Sequence, residues 1–217
     1  IPVYNHSSIT GRTTITTGFN FLTLKREDRK RLHAKEKNIL IEIDLKSCEP
    51  NFYLKAIGRE IDCDDVYESI SKSINLPIKN REKFKRGILS ILYGASENTS
   101  KNILKCSSKD LAKIKKYFRI KEFENYLKNQ FEECGMIYNY YGRPVCYNHS
   151  LVNYWIQSSA ADYCSLAFLN LINTHNLKPC FFIHDSMTFI SNDDLFGNIK
   201  KIEYVNENIS KIKIPVK

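Results

Sequence analysis

Arg81-Glu-Lys-Phe-Lys-Arg-Gly-Ile-Leu-Ser-Ile-Leu-Tyr-Gly94 is the stretch on which the reading of this chain turns. Arg81, Lys85, Leu89 and Tyr93 recur every four residues, so they share one face of a helix, a cationic row that ends in a tyrosine. Phe84, Ile88, Ile91 and Leu92 form an apolar stripe on the other side, by which the helix docks while the positive row faces outward. Such a row either meets solvent or meets an anion, phosphate above all. Gly87 weakens the helix by roughly 1 kcal/mol against alanine and serves close packing or a bend.

Two other segments shift the balance toward phosphate. Upstream, Asn38-Ile-Leu-Ile-Glu-Ile43 is rich in β-branched residues and reads as a short strand that delivers Asp44, with Glu49 five residues later. Downstream, Cys180-Phe-Phe-Ile-His184 reads as a second strand, followed by Asp185-Ser186 and a return strand Met187–Ile190. That is a hairpin with a carboxylate at its tip. One aspartate after a strand is ordinarily a turn or cap residue; two of them flanking a Lys/Arg/Tyr helix are a different pattern.

With these residues in place, the chain resembles the family A DNA polymerases, the group of bacterial polymerase I and many phage replicases. Asp44-Leu-Lys-Ser-Cys-Glu49 is similar to the first metal-binding palm motif, an aspartate followed five residues on by a glutamate. Arg81, Lys85, Leu89 and Tyr93-Gly94 resemble the fingers helix, and His184-Asp185 resembles the second metal-binding palm motif. Thr10-Gly11-Arg12, Gly142-Arg143 and Asn153 with Gln157-Ser-Ser-Ala-Ala-Asp162 follow in the family's order, across nearly the whole chain. The resemblance implies an α+β fold, a right-hand palm of antiparallel sheet and helices with reduced helical fingers. It places palm in residues 1–70, fingers in 71–140 and palm again in 141–217.

Composition agrees. At 217 residues and 42% hydrophobic content the chain can bury a core as one domain or two small lobes. A net charge of +9 suits a polyanionic partner. No apolar run approaches a membrane span and no signal-peptide pattern opens the chain, so it reads as soluble and cytoplasmic, in a host cytoplasm if viral. Seven dispersed cysteines without a Cys-x-x-Cys pair indicate neither zinc site nor disulfide framework, and are expected as reduced thiols.

In chain order, Arg12 is similar to the arginine that runs along the primer–template minor groove, and Asn20 to the asparagine after it. Lys25 to Lys37 is dense in charge and reads as a solvated turn, with phosphate contact the alternative. After Glu49 the chain reads as helical, Phe52, Tyr53, Leu54, Ile57 and Ile61 giving an apolar face before Asp62-Cys-Asp-Asp65 breaks it. Asp64 or Asp65 caps the next helix. Residues 96–140 are lysine-rich and helical, their aromatics, Tyr126 among them, reading as core. Gly142-Arg143-Pro144 is a turn. Asn153 to Leu171 is a long helix with Asn153, Gln157 and Ala161 on one face and Trp155, Leu166 and Phe168 in the core.

The implied chemistry is nucleotidyl transfer. Asp44 and Asp185 would ligate two Mg²⁺ ions roughly 4 Å apart, with Mn²⁺ as a substitute. Arg81 and Lys85 would grip the triphosphate, and Lys85 would also protonate the leaving pyrophosphate. Leu89 and Tyr93 would cover the nascent pair, and Glu49 would bond Tyr93 and occupy the space of a ribose 2′-hydroxyl. Arg12, Asn20, Arg143, Asn153, Gln157 and His184 would contact nucleic acid. The sequence departs from the family at Leu89 (usually Phe or Tyr), at Ser186 (usually an acid) and at His149 (commonly Arg), which bears on sugar discrimination, speed and template grip.

The expected partners are primer–template DNA and dNTPs, and the stretch reads either as a polymerase core cut from a longer protein or as a reduced version of one, with a separate thumb, exonuclease or processivity chain as a further candidate partner. The 32 positions from Glu49 to Arg81 read as shortened fingers, and Lys211–Lys217 resembles the start of a last palm strand that runs on further. The alternatives are a catalytically silent, nucleic-acid-binding replication accessory and an RNA-synthesising relative.

Overall fold

The computed structural model describes residues 2–5, 8–35, 38–61, 65–145, 150–191, 197 and 199–217, the Arg26 side chain excepted. Asp64 and His149, like Cys63 and Cys146, lie outside the described residues. The fold mixes small antiparallel sheets with eight α-helices among the described residues, in two compact units: residues 1–48 with 160–217, and residues 49–159.

The first unit is built on a three-stranded sheet. Strand β3 (Ile39–Asp44) pairs antiparallel with β7 (Ser186–Ser191), which pairs in turn with β6 (Lys178–Ile183). Ile43 and Phe189 are buried on one face of this sheet, and Phe181 and Ile183 on the other. Strands β1 (Val3–Asn5) and β2 (Thr14–Thr17) form a separate ribbon, and Phe21, in a short 3-10 helix (Phe21–Thr23), stacks on Phe181 with centroids 4.3 Å apart. The charged run after Lys25 is not a solvated turn throughout. It holds one helical turn, α1 (Arg26–Arg29), from which Arg29 Nη1 reaches Glu42 on β3 at 3.1 Å. Strands β8 (Tyr204–Asn206) and β9 (Lys213–Pro215) form a second ribbon, tied by the Tyr163 hydroxyl, which donates to Val205 O at 2.7 Å and to Ile212 O at 3.3 Å.

The second unit is helical. Helix α2 (Cys48–Ala56) buries Phe52, Tyr53 and Leu54, but it ends before Ile57 and Ile61. Gly58 takes φ +73° and Arg59 N bonds Leu54 O at 2.8 Å, a left-handed C-terminal stop that cuts short the longer helix read from the apolar spacing. Helix α3 (Val66–Ile74) is capped by Asp65, and α4 (Arg81–Leu92) by Asn80. Helices α5 (Glu97–Leu104), α6 (Ser108–Tyr117) and α7 (Ile120–Cys134) follow, then a hairpin of β4 (Ile137–Tyr138) and β5 (Pro144–Val145). Phe118 and Leu127 are buried as expected of core positions, but Tyr126 is 56% exposed and stacks on Phe123. Helix α8 (Leu151–His175) contributes its first part to the second unit, where Trp155 packs edge-on to Phe123, and the rest to the first. Among the described residues no helix is long and apolar enough to cross a membrane.

Candidate functional site

In the first unit the fold brings Asp44 and Asp185 to the same end of the sheet. Asp44 closes β3 opposite Ser186, the first residue of β7, and Leu45 N bonds Asp185 O at 2.9 Å. Asp185 sits in the two-residue turn joining β6 and β7, where His184 adopts φ +51°. Tight hairpins need a positive φ here, and a non-glycine residue in that region is a local strain of the kind that gathers at functional sites. Asp44 Oδ1 accepts from Lys217 Nζ at 3.1 Å. Ser186 Oγ donates to Glu42 Oε1 at 3.0 Å, and Glu42 shares a face of β3 with Asp44, two residues away. Glu42 was missed in the sequence, although strand alternation points to it.

Two aspartates are the hard oxygen donors that Mg²⁺ takes, one or two protein oxygens at a time, so this donor set fits that ion. Among the described residues no group of three or more His, Cys, Asp or Glu side chains is arranged to hold a metal.

In the same unit, the Thr10-Gly11-Arg12 segment is folded as a turn in which Gly11 N bonds Ser8 O at 2.8 Å and Ser8 Oγ donates to Arg12 O at 2.7 Å. Asn20 is exposed, and its side chain caps the 3-10 helix by accepting from Leu22 N at 3.1 Å.

In the second unit, α4 forms because Asn80 caps it, accepting from Lys83 N at 2.9 Å, and because Phe84, Ile88, Ile91 and Leu92 bury one side. Gly87 is the point of closest approach between helices: a β-carbon there would lie 2.3 Å from Leu104 Cγ on α5. Arg81, Lys85 and Leu89 occupy the less buried side, and Tyr93 stands just past the helix end, followed by Gly94 at φ +74°. Arg81 and Tyr93 are thus about 18 Å apart along the axis. The Tyr93 hydroxyl donates to Glu49, in the first turn of α2. Lys85 makes no ion pair among the described residues, whereas Arg81 is bound by Asp65, with Nη2 2.6 Å from Oδ2. Hydrogen bonding to that carboxylate holds the Arg81 guanidinium above its ordinary pKa, so it is a permanent cation. Asp65 as a partner of Arg81 was not legible, because the two are 16 residues apart with a helix between them.

Arg143 lies in the β4–β5 hairpin, where Asn139 Oδ1 accepts from both Tyr141 N (3.0 Å) and Arg143 N (2.9 Å) and thereby shapes the turn. Its Nη2 reaches Ser158 O on α8 at 3.4 Å. Asn153 and Gln157 are one turn apart on α8 and half-buried. Asn153 Oδ1 is buried without a hydrogen-bond partner among the described residues.

A solved structure described as the POL domain of Pol1 from M. smegmatis, in complex with DNA primer-template and dNTP, matches 92% of this chain with a TM-score of 0.64 and 18% sequence identity. The fold is polymerase-like. This chain spans 43% of the length of that chain. No protein-family model matches the sequence, and no curated protein matches it. At this identity the likeness to the polymerase domain is one of fold alone. The roles of Asp44, Asp185, Glu49 and Arg81 therefore have to be argued from their own geometry.

Proposed function

We propose that this chain is the core of a template-directed DNA polymerase of the family A type, adding dNTPs to a primer 3′ end. Palm is assigned to residues 1–70 and 141–217 and fingers to 71–140. The observation that carries the reading is the juxtaposition of Asp44 at the end of β3 with Asp185 in the β6–β7 turn. The polymerase-like fold supports it independently of any motif.

Asp44 and Asp185 would hold Mg²⁺, which when bound neutralises phosphate charge and activates the attacking hydroxyl. The chain's own groups do the rest. Arg81 supplies a fixed fork and Lys85 a mobile point charge to the triphosphate, and Lys85 Nζ is the proton donor to the departing pyrophosphate. Tyr93, bonded to Glu49, offers a ring edge against the nascent base pair, and the Glu49 carboxylate fills the volume that a 2′-hydroxyl would need. Arg12, Asn20, Arg143, Asn153, Gln157 and His184 are assigned to primer–template contact. The excess of cations supplies the salt-sensitive part of the affinity.

The test is extension of a labelled primer on a DNA template with four dNTPs and Mg²⁺. A ladder of products is expected. Binding of primer–template without extension, in Mg²⁺ or Mn²⁺, would contradict the assignment and leave a silent binding module.

A further inference from the structure

The Asp65 carboxylate joins the start of α3 to Arg81 on α4. Oδ1 accepts from Tyr67 N at 2.9 Å and caps α3, while Oδ2 accepts from Arg81 Nε at 2.8 Å and lies 2.6 Å from Arg81 Nη2. The Arg81 guanidinium also lies over the Tyr67 ring, its Cζ 5.5 Å from the ring centroid, within cation–π range. One edge of the guanidinium is therefore held by a carboxylate and one face by an aromatic ring, both belonging to the start of α3. Among the described residues its Nη1 has one loose ion-pair neighbour, Glu82 at 3.9 Å, and the side chain stays 50% exposed. Lys85, one turn along α4, has no such restraint among the described residues.

An arginine on a free side chain loses rotamer freedom when it closes on a phosphate; one already clamped by its own protein does not, and binds more tightly for that reason. The clamp leaves the Nη1 side of the fork available. We propose that Asp65 is a positioning residue that fixes Arg81 against Tyr67 so that its free edge meets the phosphates of an incoming nucleoside triphosphate. The inference rests on the reading of Arg81 as a phosphate ligand. Asp65 also cancels part of the positive charge of Arg81, so the two effects oppose each other, and the proposal is that orientation outweighs neutralisation.

The test uses the full chain with Asp65→Asn, Arg81→Ala and the double variant. Asparagine caps a helix about as well as aspartate, so the melting temperature of Asp65→Asn is expected to stay within about 3 °C of wild type. Two quantities are read: the kcat and KM of single-dNTP incorporation on a primer–template, and the Kd of a fluorescently labelled dATP. Asp65→Asn is expected to raise KM and Kd about five- to tenfold with kcat within about twofold, and to add less than about twofold in the Arg81→Ala background. An unchanged or lower KM and Kd, or the same factor on top of Arg81→Ala, overturns the positioning role. If Arg81→Ala itself leaves KM and Kd unchanged, or wild type binds no dATP, the phosphate reading of Arg81 has failed and the role of Asp65 falls with it. If wild type binds dATP without incorporating it, the Kd series alone decides for or against Asp65, and only the polymerase assignment is lost.

Discussion

Tyr93 donates its hydroxyl proton to the Glu49 carboxylate, joining the end of α4 to the first turn of α2. If Glu49 excludes a 2′-hydroxyl while holding Tyr93, removing it changes two properties in opposite senses. Glu49→Ala is expected to raise ribonucleotide incorporation relative to deoxyribonucleotide while lowering overall kcat/KM, since a half-buried tyrosine loses this hydrogen bond. With Leu89 aliphatic and half-buried one turn before Tyr93, the wild-type preference is itself expected to be modest. The check is the ratio of kcat/KM for dNTP and rNTP in both proteins. An unchanged ratio removes Glu49 from the gate, and a wild type that prefers rNTPs points to RNA synthesis.

Gly87→Ala sets two effects against each other within α4. Alanine favours a helix by about 1 kcal/mol over glycine, but the added carbon would meet both Leu104 Cγ and Cδ2 at 2.3 Å, a collision with the branch point of that side chain. Overpacking of this sort costs about 1–3 kcal/mol. The variant is expected to be net destabilised, by up to about 2 kcal/mol on these figures, in thermal or urea unfolding. A gain in stability would mean that the α4–α5 approach is looser than the contact implies.

Tyr163 is fully buried, and burial pushes its phenol far above the ordinary value of 10.0. The folded chain thus keeps this proton at a pH where the unfolded chain releases it. The group's contribution is present in full below pH 10 and is lost as pH rises above it. Tyr163→Phe removes the donor to Val205 O and Ile212 O, and is expected to cost about 1–2 kcal/mol near pH 7. The same substitution also removes the alkaline penalty. Urea unfolding at about pH 7 and about pH 11 should therefore show the deficit shrinking at the higher pH. An equal deficit at both would assign the alkaline loss elsewhere.

The parts of the fold that sequence made legible are those where one periodicity coincides with burial. Strand β3, the β6–β7 hairpin and α4 fall where β-branched runs and the spacing of Phe84, Ile88 and Leu92 put them, and Asp65 caps α3 as an aspartate before a helix should. The end of α2 is not legible, because Ile57 and Ile61 continue the apolar spacing, while the residue that stops the helix, Gly58, acts through a positive φ. The Arg29–Glu42 pair is not legible either, because Glu42 is on a strand, 13 residues away. Tyr126 keeps the helix period and still faces outward. Within the candidate site, residue types and order were readable. The partners Lys217 for Asp44, Asp65 for Arg81 and Ser158 for Arg143 were not, because each contact joins elements whose packing no local pattern encodes.

The most direct measurement is single-turnover primer extension by wild type, Asp44→Asn and Asp185→Asn under saturating dNTP and Mg²⁺, alongside primer–template affinity and melting temperature. Each substitution removes a charge at the end of the β3–β7–β6 sheet and no core contact, and neither Asp44 nor Asp185 belongs to the buried core. Each is expected to lower the extension rate by at least about a thousandfold, roughly 4 kcal/mol of transition-state stabilisation, with folding and DNA binding retained. Near-normal extension by either variant would contradict the assignment of this carboxylate pair as the catalytic centre.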